Sequence, residues 1–470
     1  MTDDEAQYVC SACIGDGFLK AEIERADDRR LCMICDGTRA AIAFEELCDR
    51  VHGIVSADFV PTAGDPEHAW GTPWEPGIDR VRAGSDVDEV LYEILESGNE
   101  LLDQVKERLS DLHHSFDAVM AGEEDPYGEE ARYKARKPDD YELRDDWTLF
   151  QDEIRTQARF FSGTAEAVLG RIFGELRRFR TFDRPLVREA GPGTGTRHLF
   201  RGRRAFADDE IAAIVEHPAR ELGAPPARAA GSGRMNPRWI SMFYGAFDPD
   251  TCVAELRAPV GSAVVIGRFD IVRPLRLLDL EALRHLYVDQ PSYFDPGFRG
   301  LRDKAHFLKR LVDIMSRPVM PTDEDYQYLP TQAVAEYLSE KVEPRLDGLI
   351  FPSSQRGGRG ENVVLFRRAS AVEPDGTDGL RSETSFGWET DDDRDTDVTV
   401  RTERKAGEAE PAGGDRRDVA SPGSNSGANP PTLRVDLANI EIRDVRAIEY
   451  AVERRRVRRH ARSVRDRDDA

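Results

Sequence analysis

Two cysteine pairs, Cys10-x-x-Cys13 and Cys32-x-x-Cys35, constrain this chain more tightly than any other feature. Each pair closes a tight turn that aims two thiolates at one metal, and the eighteen residues between the pairs match the spacing of paired zinc knuckles. Gly15 and Gly37, each two residues past the second cysteine of a pair, are expected to supply the bend. Four sulfur ligands leave no open coordination position, so a zinc held by Cys10, Cys13, Cys32 and Cys35 would be structural. The alternative is four free, reduced thiols. Cys48 and Cys252 stand alone and read as small buried hydrophobes.

Cysteines used in this way fit a reducing compartment. The first ten residues, MTDDEAQYVC, are acidic where a secretory leader would be basic and then apolar, and no apolar run is long enough to span a bilayer. The expectation is a cytoplasmic protein with no membrane partner. A net charge of -23 disfavours nucleic acid as a partner, because phosphate-binding surfaces need clustered positive charge.

The length of 470 residues allows two to three domains. After a zinc-knuckle module at 1–40, residues 41–180 read as helical. Ser85 and Asp88 fit a capping box, and Val87, Val90, Leu91, Ile94 and Leu95 recur at helical spacing, continued by Leu101, Leu102, Val105, Leu109 and Leu112. Trp147, Phe150, Ile154, Phe161, Val168, Leu169, Ile172 and Phe173 trace a second amphipathic stretch, so two long packed helices are expected. Within 181–371 the texture turns to short strands, at 263–271, 346–351 and 362–366, with a helix capped by Thr331 between them. Residues 372–431 are poor in large apolar side chains and read as a disordered acidic insertion. Residues 432–453 alternate apolar and polar as a closing strand pair would, and 454–470 form an arginine-rich tail.

Four segments interrupt apolar structure with polar residues at turns. They are Leu199-Phe-Arg-Gly-Arg-Arg204, Gly233-Arg-Met-Asn-Pro237, the run from Ile240 through Phe243-Tyr244-Gly245-Ala246 to Glu255, and Asp347-Gly-Leu-Ile-Phe-Pro-Ser-Ser354 with Asn362 beyond. The third reads as a strand ending at Tyr244, a turn at Asp248-Pro249, and a helix started by Asp250 and Thr251 with Glu255 in its first turns. Arginines from two other segments can converge on that carboxylate and aromatic face, and guanidinium groups grip phosphate oxygens. The pattern implies a pocket for a phosphorylated, flat-ringed ligand.

In their order and spacing these segments resemble the RES family, over about residues 197–371 and the closing strands. Residues 41–180, with Asp125-Pro126-Tyr127-Gly128, resemble the HEPN-like domain that accompanies some RES domains. The resemblance implies an α+β fold: an ADP-ribosyltransferase-like mixed β core with flanking helices, preceded by a helical domain and a small zinc-knuckle module. It implies NAD as substrate, with Arg201 on the pyrophosphate, Arg234 and Asn236 bracing ribose or phosphates, and Tyr244 stacked on nicotinamide. Glu255 matches the family's glutamate and Ser353 its serine, ahead of Ser354. Where the family places a small, glycine-like turn residue after Asn-Pro-x, this chain has Trp239. The implied reaction is dissociative cleavage of the nicotinamide–ribose bond, with Glu255 stabilising the oxocarbenium-like sugar. The sugar is then captured by water, phosphate or a protein side chain. The family's best-known members are NAD-consuming toxins, which implies an antitoxin protein as partner. Two alternatives stand beside this reading. One is a HEPN-type ribonuclease using Arg108 with His113 or His114. The other is a zinc-containing nucleic-acid-binding or partner-binding protein with a degenerate RES-like domain.

Overall fold

The computed structural model describes residues 6–62, 84–114, 120, 124–159, 161–289, 291–317, 319–377, 380–387, 389–390, 393–394, 398–403, 430–449 and 452–457. The chain divides into two compact units. The first comprises Met1–Arg188, Gly233–Met235 and Leu278–Arg345, and the second Glu189–Ser232, Asn236–Leu277 and Leu346–Ala470. Residues 278–345, expected inside the catalytic domain, thus group with the first unit. Among the described residues no helix is long and apolar enough to cross a membrane.

In the first unit the cysteine turns hang from a small antiparallel sheet, in which Thr38–Ala43 pairs with both Tyr8–Cys10 and Arg29–Leu31. Helix Gly17–Ala26 lies between the cysteine pairs, its start capped by Asp16, which accepts from the Leu19 N–H at 2.7 Å. Gly15 serves close approach and not a bend: a Cβ there would stand 1.8 Å from the Glu96 carbonyl oxygen. The left-handed residue of the second turn is Asp36, at φ 54°, and not Gly37. Helices Phe44–Asp58, Val87–Leu95 and Asn99–His113 follow, and one core of Val9, Leu19, Leu47, Val51, Leu91, Leu95 and Val105 runs through module and helices alike. The step from 40 to 41 is therefore no break in packing. The two expected long helices are four, because Gly98 restarts the first stretch and the second divides into Tyr141–Thr156 and Gly163–Phe173. Phe161, expected on the buried stripe, sits in that division and is 98% exposed. Asp86, and not Ser85, caps its helix by accepting from the Glu89 N–H.

The second unit holds an eight-stranded sheet, all but the strand ends Val187–Arg188 and Leu278–Asp279. Its strands are β1 (Val187–Ala190), β2 (His198–Ala205), β3 (Phe243–Ala246), β4 (Ala263–Ile271), β5 (Leu275–Asp279), β6 (Gly348–Pro352), β7 (Glu361–Leu365) and β8 (Leu433–Asp444), in the order β8-β4-β2-β3-β7-β6-β5-β1. Strand β4 lies inside the sheet, between β8 and β2, and is apolar on both faces; the run Ala263-Val-Val-Ile266 is buried throughout, as a doubly covered strand requires. Helices α1 (Asp208–Glu216), α2 (Pro218–Leu222) and α3 (Pro249–Leu256) flank the sheet. Leu199, Phe243, Val265, Phe269, Leu277, Ile350, Val363 and Leu433 form its core.

Two expectations change here. The closing strand pair is one long strand, β8, antiparallel to β4 across an irregularity between Gly267 and Phe269. The stretch 372–431, expected to be disordered, contains an antiparallel pairing of Arg381–Phe386 with Val398–Glu403, and its residues 404–429 lie outside the described residues. Residues 458–470 of the arginine-rich tail lie outside them too.

Candidate functional site

Strand β3 lies between β2 and β7, so side chains distant in sequence meet on it. Tyr244 stands opposite Val364, Ala246 opposite both Asn362 and Phe200, and Phe351 on β6 opposite Asn362. Past β3 the chain turns into α3. Asp248 caps that helix through its carboxylate, which accepts from the Thr251 N–H at 2.8 Å and the Thr251 hydroxyl at 2.7 Å. The helix ends at Leu256 after eight residues, about two turns, so Glu255 falls in its last turn.

The β6–β7 hairpin holds α3 at both ends. Arg356, in the connecting loop, donates to Asp248 at 3.0 Å and to the Thr251 hydroxyl at 2.8 Å. Gly360 lets the loop approach: its φ is 81°, and a Cβ would stand 2.0 Å from Thr251 Oγ1. At the other end Ser353 Oγ donates to Glu255 Oε1 at 2.6 Å, and Asn362 Nδ2 donates to the same oxygen at 2.8 Å. Glu255 itself is exposed, while Ser353 and Asn362 are buried, so the donors are fixed and the carboxylate is reachable. Burial opposes ionisation of Asp248, but the Thr251 bonds and Arg356 hold its carboxyl below the ordinary range.

Arg201, Tyr244, Cys252, Glu255, Phe351 and Asn362 line one cavity of about 260 Å³. Arg201 donates from Nη1 to the Tyr244 carbonyl at 2.8 Å and lies over the Phe243 ring, 5.2 Å from its centroid. Burial pushes its guanidinium down to about 10, and among the described residues no carboxylate pairs with it. Burial likewise pushes the Cys252 thiol up to about 12, which leaves it an inert wall. A larger hollow of about 620 Å³, lined by Glu216, Thr377, Val398, Val400, Thr402 and Leu437 among others, has a carboxylate and hydroxyls but no arginine in its lining.

The remaining expected site residues sit elsewhere. Asn236 is buried and accepts the Tyr244 phenol at 2.7 Å, while its Nδ2 donates to the carbonyls of Gly231, Pro237 and Ile240, so it fixes the aromatic and its own loop. Arg234 belongs to the first unit. There it donates to the carbonyls of Met315 and Arg317 and lies over Tyr328, and it does not line the cavity. Ser353 reaches the cavity only through Glu255, and Ser354 is exposed. Trp239 keeps the shape of a glycine-like turn at a cost: it adopts φ 72°, uncommon for a bulky residue, and stays exposed. Asn362 has no assigned part in the sequence reading, and its bond to Glu255 spans 107 residues, so no local pattern signals it.

In the first unit the thiols of Cys10, Cys13, Cys32 and Cys35 all lie within 4.8 Å of one another. The Cys10–Cys13, Cys10–Cys35 and Cys13–Cys32 sulfur separations are 3.8, 3.6 and 3.8 Å. A tetrahedron with metal–sulfur bonds of about 2.3 Å has edges of about 3.8 Å, so the cluster could hold a metal without rearrangement. Burial opposes ionisation of Cys32, yet N–H groups of Cys10, Cys35 and Ile34 pull its thiol down to about 7. Of the residues considered for RNA cleavage, Arg108 is paired with Glu45 at 2.9 Å, and His113 stacks on His52 with centroids 3.6 Å apart. His114 lies 3.8 Å from Asp125.

A family model described as the RES domain matches residues 204–389, which is less than half of the chain. The match takes in Arg234, Asn236, Tyr244, Glu255, Ser353 and Asn362, and begins three residues after Arg201. No curated protein and no solved structure matches the chain.

Proposed function

We propose that the cavity of the second unit binds the nicotinamide end of NAD and breaks the nicotinamide–ribose bond, on an ADP-ribosyltransferase-like core. The observation that carries this reading is the convergence of Arg201, Tyr244 and Glu255 on one cavity, with the carboxylate gripped through a single oxygen. Nicotinamide leaves as a neutral base, and positive charge develops on the ribose. Glu255 Oε1 is occupied by two donors, so the other carboxylate oxygen faces the developing charge. Ser353 and Asn362 prevent the side chain from swinging away, which spares the reorganisation cost at the moment of reaction. Tyr244, held by Asn236, offers an aromatic face to the pyridine ring. Arg201, paired with no carboxylate among the described residues, offers a partner to phosphate. The family match supports the same reading, because RES domains are associated with NAD-consuming toxins; a toxin of this kind would need a neutralising antitoxin protein.

The test is nicotinamide release from NAD by the purified full-length protein beside E255Q. Wild-type protein should release nicotinamide, and E255Q should lose about 100- to 1,000-fold in kcat with an unchanged melting temperature. Equal rates in the two would remove Glu255 from the chemistry.

For Cys10, Cys13, Cys32 and Cys35 we propose structural zinc, for which the sulfur spacing and the all-thiolate donor set are the support. The ion would be a folding staple of the first unit, far simpler in role than the carboxylate site.

A further inference from the structure

The cavity is small for the whole of a dinucleotide, and its charge is smaller still. Ligand sites for drug-sized molecules usually enclose about 300–1,000 Å³. This one, partly open to solvent, offers about 260 Å³, and among the described residues its only cationic lining residue is Arg201. A pyrophosphate bridge carries two phosphoryl groups. One guanidinium, already spending one Nη on the Tyr244 carbonyl, matches one of them. The second arginine expected at the phosphates, Arg234, directs both Nη groups at the carbonyls of Met315 and Arg317.

We infer that the site recognises only the nicotinamide-ribosyl-phosphate half of its substrate, so that nicotinamide mononucleotide is cleaved alongside NAD. The inference rests on the proposed NAD-cleaving reading and specifies which part of the substrate that site reads. Ring, ribose and 5′-phosphate find Tyr244, Glu255 and Arg201; the adenosine half lies beyond the cavity and adds little discrimination. The chemistry is the same for both substrates. The C1′–N1 bond breaks, its electron pair leaves with neutral nicotinamide, and C1′ gains a bond to the oxygen of water, whose proton passes to solvent. Nicotinamide mononucleotide then yields ribose 5-phosphate, nicotinamide and a proton.

The experiment measures nicotinamide release by the full-length protein from NAD, nicotinamide mononucleotide and nicotinamide riboside, each with wild type and R201M. The mononucleotide should show kcat/KM within about tenfold of NAD. The riboside, lacking the phosphate, should fall about 100-fold below the mononucleotide, as expected for loss of a charge-assisted contact. R201M should collapse the ratio between mononucleotide and riboside towards one. NAD cleaved with the mononucleotide inert would overturn the inference while leaving the NAD reading in place. A riboside turned over as well as the mononucleotide would overturn the role given to Arg201. Failure of all three substrates would remove the NAD reading itself, and this inference with it.

Discussion

The two units place reactive side chains together in opposite ways. In the first, four thiols come from one short stretch, Cys10 to Cys35, and two local turns do most of the positioning. In the second, Arg201, Tyr244, Glu255 and Asn362 come from β2, β3, α3 and β7, and only sheet order and register bring them to one cavity. A local cluster can be lost by changing one ligand. A distributed site degrades in steps, because each element carries one part of the task.

The largest expected effect is on the cysteine cluster. Cys32→Ser should abolish stoichiometric metal binding, measured by mass spectrometry of the intact protein. It should also expose the amides of helix Gly17–Ala26 to hydrogen exchange, since structural zinc contributes directly to folding. Retention of both metal and protection would contradict the staple role.

The carboxylate clamp comes next. Ser353→Ala and Asn362→Ala should each lower kcat for NAD about 10- to 100-fold while KM changes little, because they act on Glu255 and not on the ligand. If KM rose and kcat held, these residues would instead be touching substrate.

Arg201 predicts a trade between stability and binding. Its guanidinium lies below its ordinary range because burial disfavours the charged form. Folding therefore holds the proton less tightly than the unfolded chain does, and at neutral pH the charge detracts from stability unless an anion is bound. Arg201→Met should raise the ligand-free stability by about 1 kcal/mol and remove the thermal shift that NAD gives the wild type. A destabilised variant with a normal NAD shift would break this account.

The smallest effect concerns the helix start. Asp248→Ala should cost about 1 kcal/mol at neutral pH. The Asp248 carboxyl lies below its unfolded value, so its contribution is complete above the usual carboxylate range and fades as pH falls through it. The gap between variant and wild type in denaturant melts should therefore narrow below about pH 4.

How much of each site was legible follows the same division. The cysteine cluster could be read from spacing, because a turn is a local object. Strand β4 could be read to its end residues, since an unbroken apolar run has one economical use. The pairing of Arg381–Phe386 with Val398–Glu403 is not legible in composition, because most of its side chains are polar and backbone pairing leaves no compositional trace. Glu255 is legible, but the start read at Asp250 is one residue late, since Asp250 and Thr251 mimic the cap that Asp248 makes. The clamp from Ser353 and Asn362 depends on register between residues about one hundred apart, which no local pattern encodes. Trp239 shows the opposite limit: the sequence departs from a glycine-like turn, and the backbone adopts the left-handed shape anyway.

A crystal structure of E255Q with NAD bound tests the central claim most directly. The account predicts the pyridine ring against Tyr244, the proximal phosphate on Arg201, and C1′ beside the substituted side chain. NAD bound elsewhere in the molecule, with Arg201 and Tyr244 untouched, would contradict it.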